Sequence, residues 1–85
     1  MESEVSNIAM QEVVSSQIFA IGFDASTGTM AVRFKKGDQP TTLYHYSGVS
    51  QEEFDAFKGA ESVGSHFYRV FKPAPERYPY RKIVE

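Results

Sequence analysis

The spacing of apolar residues changes period once along this chain, at Ser50, and that switch constrains the fold more than any other feature. Before it the apolar residues recur every second position. Ile18-Phe-Ala-Ile-Gly-Phe23 is rich in β-branched and aromatic residues and runs into Asp24-Ala-Ser-Thr-Gly28, a small polar turn. Thr29-Met-Ala-Val-Arg-Phe34 alternates, with Met30, Val32 and Phe34 on one face and Thr29, Ala31 and Arg33 on the other. Lys35-Lys-Gly-Asp-Gln-Pro40 reads as a second turn, and Thr41-Thr-Leu-Tyr-His-Tyr46 restarts the alternation. These segments predict three consecutive antiparallel strands.

After Ser50 the period is helical. Ser50-Gln-Glu-Glu53 is a capping box, in which the hydroxyl accepts from the Glu53 amide and the carboxylate reaches back to the Ser50 amide. Phe54 and Phe57 then share one side of a short helix that Gly59 ends. Ser62 is a second N-cap, and Val63, Phe67, Val70 and Phe71 fall within one arc of the following helix before Pro73 stops it. The fold expected is α+β: a three-stranded antiparallel meander followed by two short helices packed on one sheet face, the other face remaining exposed.

The organisation predicted is a flexible acidic N-terminal arm over 1–12, an α+β domain over 13–72 and a proline- and tyrosine-rich basic tail over 73–85, extended and outside the regular structure. A chain of 85 residues holds one such domain, burying about 60 to 65% of its unfolded surface. The absence of cysteine excludes disulfide staples, thiolate zinc sites and cysteine nucleophiles. A net charge of −2 argues against a dedicated duplex-DNA binder. No apolar run is long enough to span a bilayer, and Met1-Glu-Ser-Glu-Val5 carries acid where a signal peptide carries base, so the expected location is cytoplasmic.

The order Val14-Ser15-Ser16, Ile21-Gly22-Phe23-Asp24, Met30-x-Val32-x-Phe34-x-x-Gly37, Tyr44-x-Tyr46-x-Gly48-Val49 and Ala60-x-Ser62-x-Gly64-x-x-Phe67 resembles the KTSC domain family over about residues 13–72. That family is named for its occurrence at the C-terminus of some lysyl-tRNA synthetases and also occurs as small stand-alone proteins in bacteria and phages. The resemblance implies a small α+β domain and an association with nucleic acid through the synthetases. Two departures stand out: Asp38-Gln-Pro-Thr-Thr-Leu43 lengthens the connection from the glycine to the paired tyrosines, and a proline-rich extension follows Lys72.

Physically, Ser15, Ser16, Gly22, Asp24, Ser62 and Gly64 are the small and polar residues that turns, strand ends and caps need. Their functional reading is that Ser15, Asp24 and Ser62 converge on one edge as a ligand contact; Tyr44, Tyr46 and Phe67 complete the family positions. No catalysis is expected, because neither His45 nor His66 stands in a nucleophile motif with a base and an orienting acid. Two histidines without cysteine make a poor metal site, no glycine-rich phosphate cradle exists, and no cofactor is expected. The sharpest asymmetry is charge: residues 62–85 sum to +3, against −3 for residues 1–12 and −3 for residues 50–61. Within that basic third, His66, Tyr68, Arg69, Lys72, Arg77, Tyr78, Tyr80, Arg81 and Lys82 interleave cations with rings. Such a set suits anchoring to a partner protein or a second copy of the chain, and, as an alternative, RNA or single-stranded DNA. The competing reading is that the cations pair with the acidic helix and the tyrosines fill a small core.

Overall fold

Period-two segments become strands, as expected, but each edge of the sheet gains one more. In the computed structural model, which describes residues 8–84, the strands are β1 (Met10–Glu12), β2 (Ile18–Asp24), β3 (Thr29–Lys36), β4 (Gln39–Tyr46) and β5 (Tyr80–Lys82). They form one antiparallel sheet in sequential order. Two elements follow β4: helix α1 (Gln51–Lys58) and helix α2 (Val63–His66), which continues as a π-helical turn over Phe67–Phe71. The fold is therefore α+β with five strands rather than three. The outer strands come from segments read above as arm and tail; residues 1–7 of that arm lie outside the described residues. The tail is anchored on both sides of β5: Tyr78, 3% exposed, packs in the helix-side core and Ile83, 4% exposed, in the cluster on the other face, while the backbone between them pairs with β4.

Local chemistry explains the elements. The Asp24 carboxylate accepts from the Ser26 amide at 3.0 Å and the Ser26 hydroxyl at 2.6 Å, closing the first hairpin. The second hairpin is tighter than expected: only Gly37 and Asp38 lie outside the strands, and Lys35 pairs with Pro40. The residues from Gln39 to Leu43 thus lengthen a strand and not a loop. A register shift at Phe19 lets both Ile18 and Ile21 face the core although they are three apart. The Ser50 box is formed in full, with Glu53 N to Ser50 Oγ at 3.1 Å and Ser50 N to Glu53 Oε1 at 2.9 Å. Ser62 caps α2 as predicted, accepting from Ser65 N at 3.3 Å.

Both helices lie on the sheet face that carries Ile21, Met30, Val32 and Tyr46, and Phe54, Phe57, Phe67 and Phe71 fill the layer between. Burial of each such phenylalanine contributes about 1.5–3 kcal/mol. Contrary to expectation, the opposite sheet face is not simply wet. Ala31, Leu43 and Ile83 form a second buried cluster there, flanked by Ile8 and Met10. Ala31 is covered there by the side chains of Leu43 and Ile83, with Ile8 and Met10 packed against them. No helix among the described residues is long and apolar enough to cross a membrane.

Candidate functional site

Two adjoining clefts share one wall, Tyr68, and together hold Ser15, Ser16, Tyr44, Tyr46, Ser62, Gly64 and Phe67 of the family pattern. The first, of about 440 Å³, lies between the β1–β2 connection and the start of α2. Ser15, Ser16 and Gln17 line it from one side; Ser62, Gly64, Ser65, Tyr68 and Arg69 line it from the other. The Ser15 hydroxyl accepts from the amides of Gln17 and Ile18, each at 3.3 Å, which fixes its rotamer. A Cβ on Gly64 would stand 3.0 Å from Ser15 Oγ, so glycine lets the two segments meet. Among the described residues no acidic side chain and no histidine lines this cleft.

The second cleft, of about 260 Å³, opens between the π-helical turn and strands β3 to β5. Its walls are rings: Phe34, Tyr44, Tyr46 and Tyr80 from the strand side, Phe67, Tyr68 and Phe71 from the helix, with Lys72 and Pro75 at the rim. Register explains why three tyrosines gather here. Tyr80 pairs with Tyr46 and Lys82 with Tyr44, so all four project from the same side of the sheet. Some of the rings meet edge to face, Phe34 and Tyr44 at 81°, Tyr44 and Tyr80 at 71°, Tyr46 and Phe67 at 79°, Phe67 and Tyr68 at 82°, while Tyr46 is tilted against Tyr80 at 31° and against Tyr44 at 49°. Such packing leaves a corrugated slot. Tyr68 and Tyr80 remain 40% and 56% exposed, and the Lys72 ammonium sits 4.8 Å from the Tyr68 ring. Burial, and then the neighbouring Tyr44, push the Tyr46 phenol well above its ordinary value, so it stays a neutral donor.

The basic third of the chain does not form one patch. Tyr68, Arg69, Lys72, Tyr80 and Lys82 stand at or beside the two clefts. The others are elsewhere. His66 packs its ring on Phe57 and Phe71 at 5.7 and 6.0 Å, and burial, with Arg69 nearby, lowers its pKa. Tyr78 is a core residue against Phe71 at 4.8 Å, with its hydroxyl on Glu53. Arg77 pairs with the same carboxylate at 2.5 Å, the internal pairing weighed as the competing reading. Arg81 is opposite His45, on the other face of the sheet. Asp24 does not join Ser15 and Ser62 either, since the seven residues of β2 separate it from that edge. Its carboxyl is held below the ordinary value by the Ser26 hydrogen bonds. Gly22 has a packing role: a Cβ there would lie 2.3 Å from the Ala9 carbonyl oxygen as β1 closes over β2.

Phe34 and Pro75 were not singled out from the sequence as site residues. Phe34 was marked only by its alternation with Met30 and Val32 and by its place in the family pattern, and neither tells that it is half-buried at a cleft. Among the described residues no cluster of three or more histidine or acidic side chains is disposed to hold a metal.

A five-stranded sheet with two helices on one face, and family-pattern residues gathered around Tyr68, defines a class of small α+β domain. The profile of the KTSC domain family matches residues 14–78, and the chain belongs to that family. A protein of Stutzerimonas stutzeri is 38% identical over 64 residues, covering 75% of this chain and 84% of the relative. A protein of Tsukamurella paurometabola is 39% identical over 64 residues, covering 75% and 90%. The crystal structure of a KTSC domain protein from Yersinia pestis superposes with a TM-score of 0.76 at 31% identity, covering 91% of this chain and 99% of that one. The matched span includes Tyr78 and excludes β5, so Tyr80 is contributed to the cleft from beyond it.

Proposed function

We propose that this chain is a non-enzymatic binding module that takes an extended, proline-containing segment of a partner protein into the aromatic cleft. The observation carrying this reading is the ring-walled slot, its rings partly edge to face and partly tilted, closed by Tyr68 and Tyr80, both of which keep solvent-facing surface. Grooves between aromatic rings suit polyproline helices, whose conformation is set before binding and whose ordering therefore costs little. Single-stranded nucleic acid asks for a different surface: rings presented flat for successive bases and a track of cations for the phosphates. Arg77 is engaged by Glu53 and Arg81 stands on the other sheet face, which shortens any such track. The serine cleft has hydroxyls, and among the described residues neither a histidine nor a carboxylate lines it to activate them, which favours binding over catalysis.

Fluorescence anisotropy with a labelled hexaproline peptide tests the proposal, with a labelled oligouridylate as comparator. The peptide binds the full chain, and Tyr80→Ala weakens it about tenfold, as loss of one aromatic anchor does. Failure of the peptide to bind, together with oligouridylate binding that falls steeply with salt, would replace this function with the nucleic-acid one.

A further inference from the structure

We propose that the serine cleft is a carboxylate subsite, receiving an acidic side chain of the same segment whose prolines occupy the aromatic cleft; this rests on the peptide-binding reading above. A serine hydroxyl offers two acceptor positions and one donor. Both acceptor positions of Ser15 are taken by the amides of Gln17 and Ile18, so its proton is what remains to offer. Ser62 spends acceptor capacity on the Ser65 amide and likewise keeps its proton. Arg69, on the same wall, only donates.

The ligand group that answers a donor-biased cleft is one that only accepts, and an ionised carboxylate does so with two oxygens. Backbone amides at the start of α2 add little, because those of Ser65 and His66 are already bonded to Ser62. Charge selects the carboxylate among anions. Among the described residues one guanidinium lines the cleft and no acidic side chain opposes it, which balances a single negative charge. A phosphate dianion is ordinarily met by a cluster of arginines. Continuity selects the source. Tyr68 walls both clefts and the serine cleft is open, so a chain lying along the rings can turn one side chain into it without ending there.

The test is titration of the uniformly ¹⁵N-labelled full chain, followed by amide shifts, with capped Glu-Pro-Pro-Pro and Pro-Pro-Pro-Glu peptides. Their glutamine counterparts and phosphoserine counterparts serve as the other arms. One of the glutamate peptides binds about fivefold or more tightly than its glutamine counterpart, the scale of one charge-assisted contact. It shifts the amides of Ser15, Ser62 and Ser65, and in Arg69→Gln the two affinities become equal. Equal affinity of glutamate and glutamine peptides for the unaltered chain overturns the subsite while leaving the peptide-binding function standing. Tighter binding of the phosphoserine peptide than of the glutamate one overturns the carboxylate assignment in favour of phosphate. Binding of none overturns both proposals.

Discussion

The Tyr78 hydroxyl donates to Glu53 Oε2 at 2.5 Å, joining the C-terminal segment to the first turn of α1 across 25 positions of sequence. The same carboxylate caps the Ser50 amide through its other oxygen and accepts from Arg77, so one side chain holds a helix start, a core phenol and the approach to β5. Those attachments set where Tyr80 stands, and Tyr80 closes the aromatic cleft.

Removing this hub loosens the C-terminal segment. Glu53→Gln is expected to cost about 1–3 kcal/mol, since it ends charge-assisted bonds to Tyr78 and Arg77 and weakens the cap. For a domain of this size that lowers Tm by about 4–8 °C per kcal/mol, read by thermal circular dichroism. Tyr78→Phe removes one of those bonds, keeps the ring on Phe71 and costs less. Equal costs for the two variants would contradict the hub.

Acid sensitivity follows from the same group. The hydrogen bond from Tyr78, and then that from Arg77, hold the Glu53 carboxyl down to about 2 from an ordinary value of 4.5, against the opposing effect of its partial burial. A depressed carboxyl stabilises the fold fully above its unfolded value and loses that contribution as pH falls from 4.5 towards 2. The Tm gap between the unaltered chain and Glu53→Gln is therefore constant near neutrality and closes across that acid window. His66 adds a step at higher pH. Its pKa is lowered by burial and then by Arg69, so the unfolded chain binds its proton first and stability begins to fall as pH drops through 6.5.

Much of this was legible in local sequence. Ser50 with Glu53, Ser62 before Val63, and the alternation of Met30 and Val32 each carry their cause within a few residues, and each forms as read. The edge strands were not legible because each is three residues long, too short to show a period, and each is held by what it covers. The π-helical turn also escaped, since its Lys72 to Phe67 bond differs from a helical one by a single residue of spacing. At the site, cations and rings were read as one cluster from their nearness in sequence. Strand alternation then sends Tyr80 and Arg81 to opposite faces, and the long-range partner Glu53 takes Arg77 and Tyr78.

Packing at the second sheet face gives a separate prediction. Ile83→Ala removes most of the side chain that covers Leu43 and Ala31 and is expected to cost about 2–4 kcal/mol, against roughly 5–15 kcal/mol for a whole domain. Denaturant unfolding measures it. A cost near zero would mean that this face is not a core.

The close approach at Gly22 is tested by Gly22→Ala. The added methyl meets the Ala9 carbonyl carbon and oxygen, backbone atoms that cannot rotate away, so β1 must lift from β2. Amide hydrogen exchange across β1 then accelerates while that of β3 and β4 is retained. Unchanged protection in β1 would contradict the contact.

On the proposed function, the partner segment seats in the tyrosine-lined slot. Titrating the ¹⁵N-labelled chain with hexaproline and mapping the amide shifts tests it most directly. The shifts expected centre on Tyr44, Tyr46, Tyr68 and Tyr80, with Asp24 and Gly37 in the two hairpin turns unmoved, and are lost in Tyr68→Ala; shifts centred on those turns, or a chain unresponsive to the peptide, would overturn the slot as the binding site.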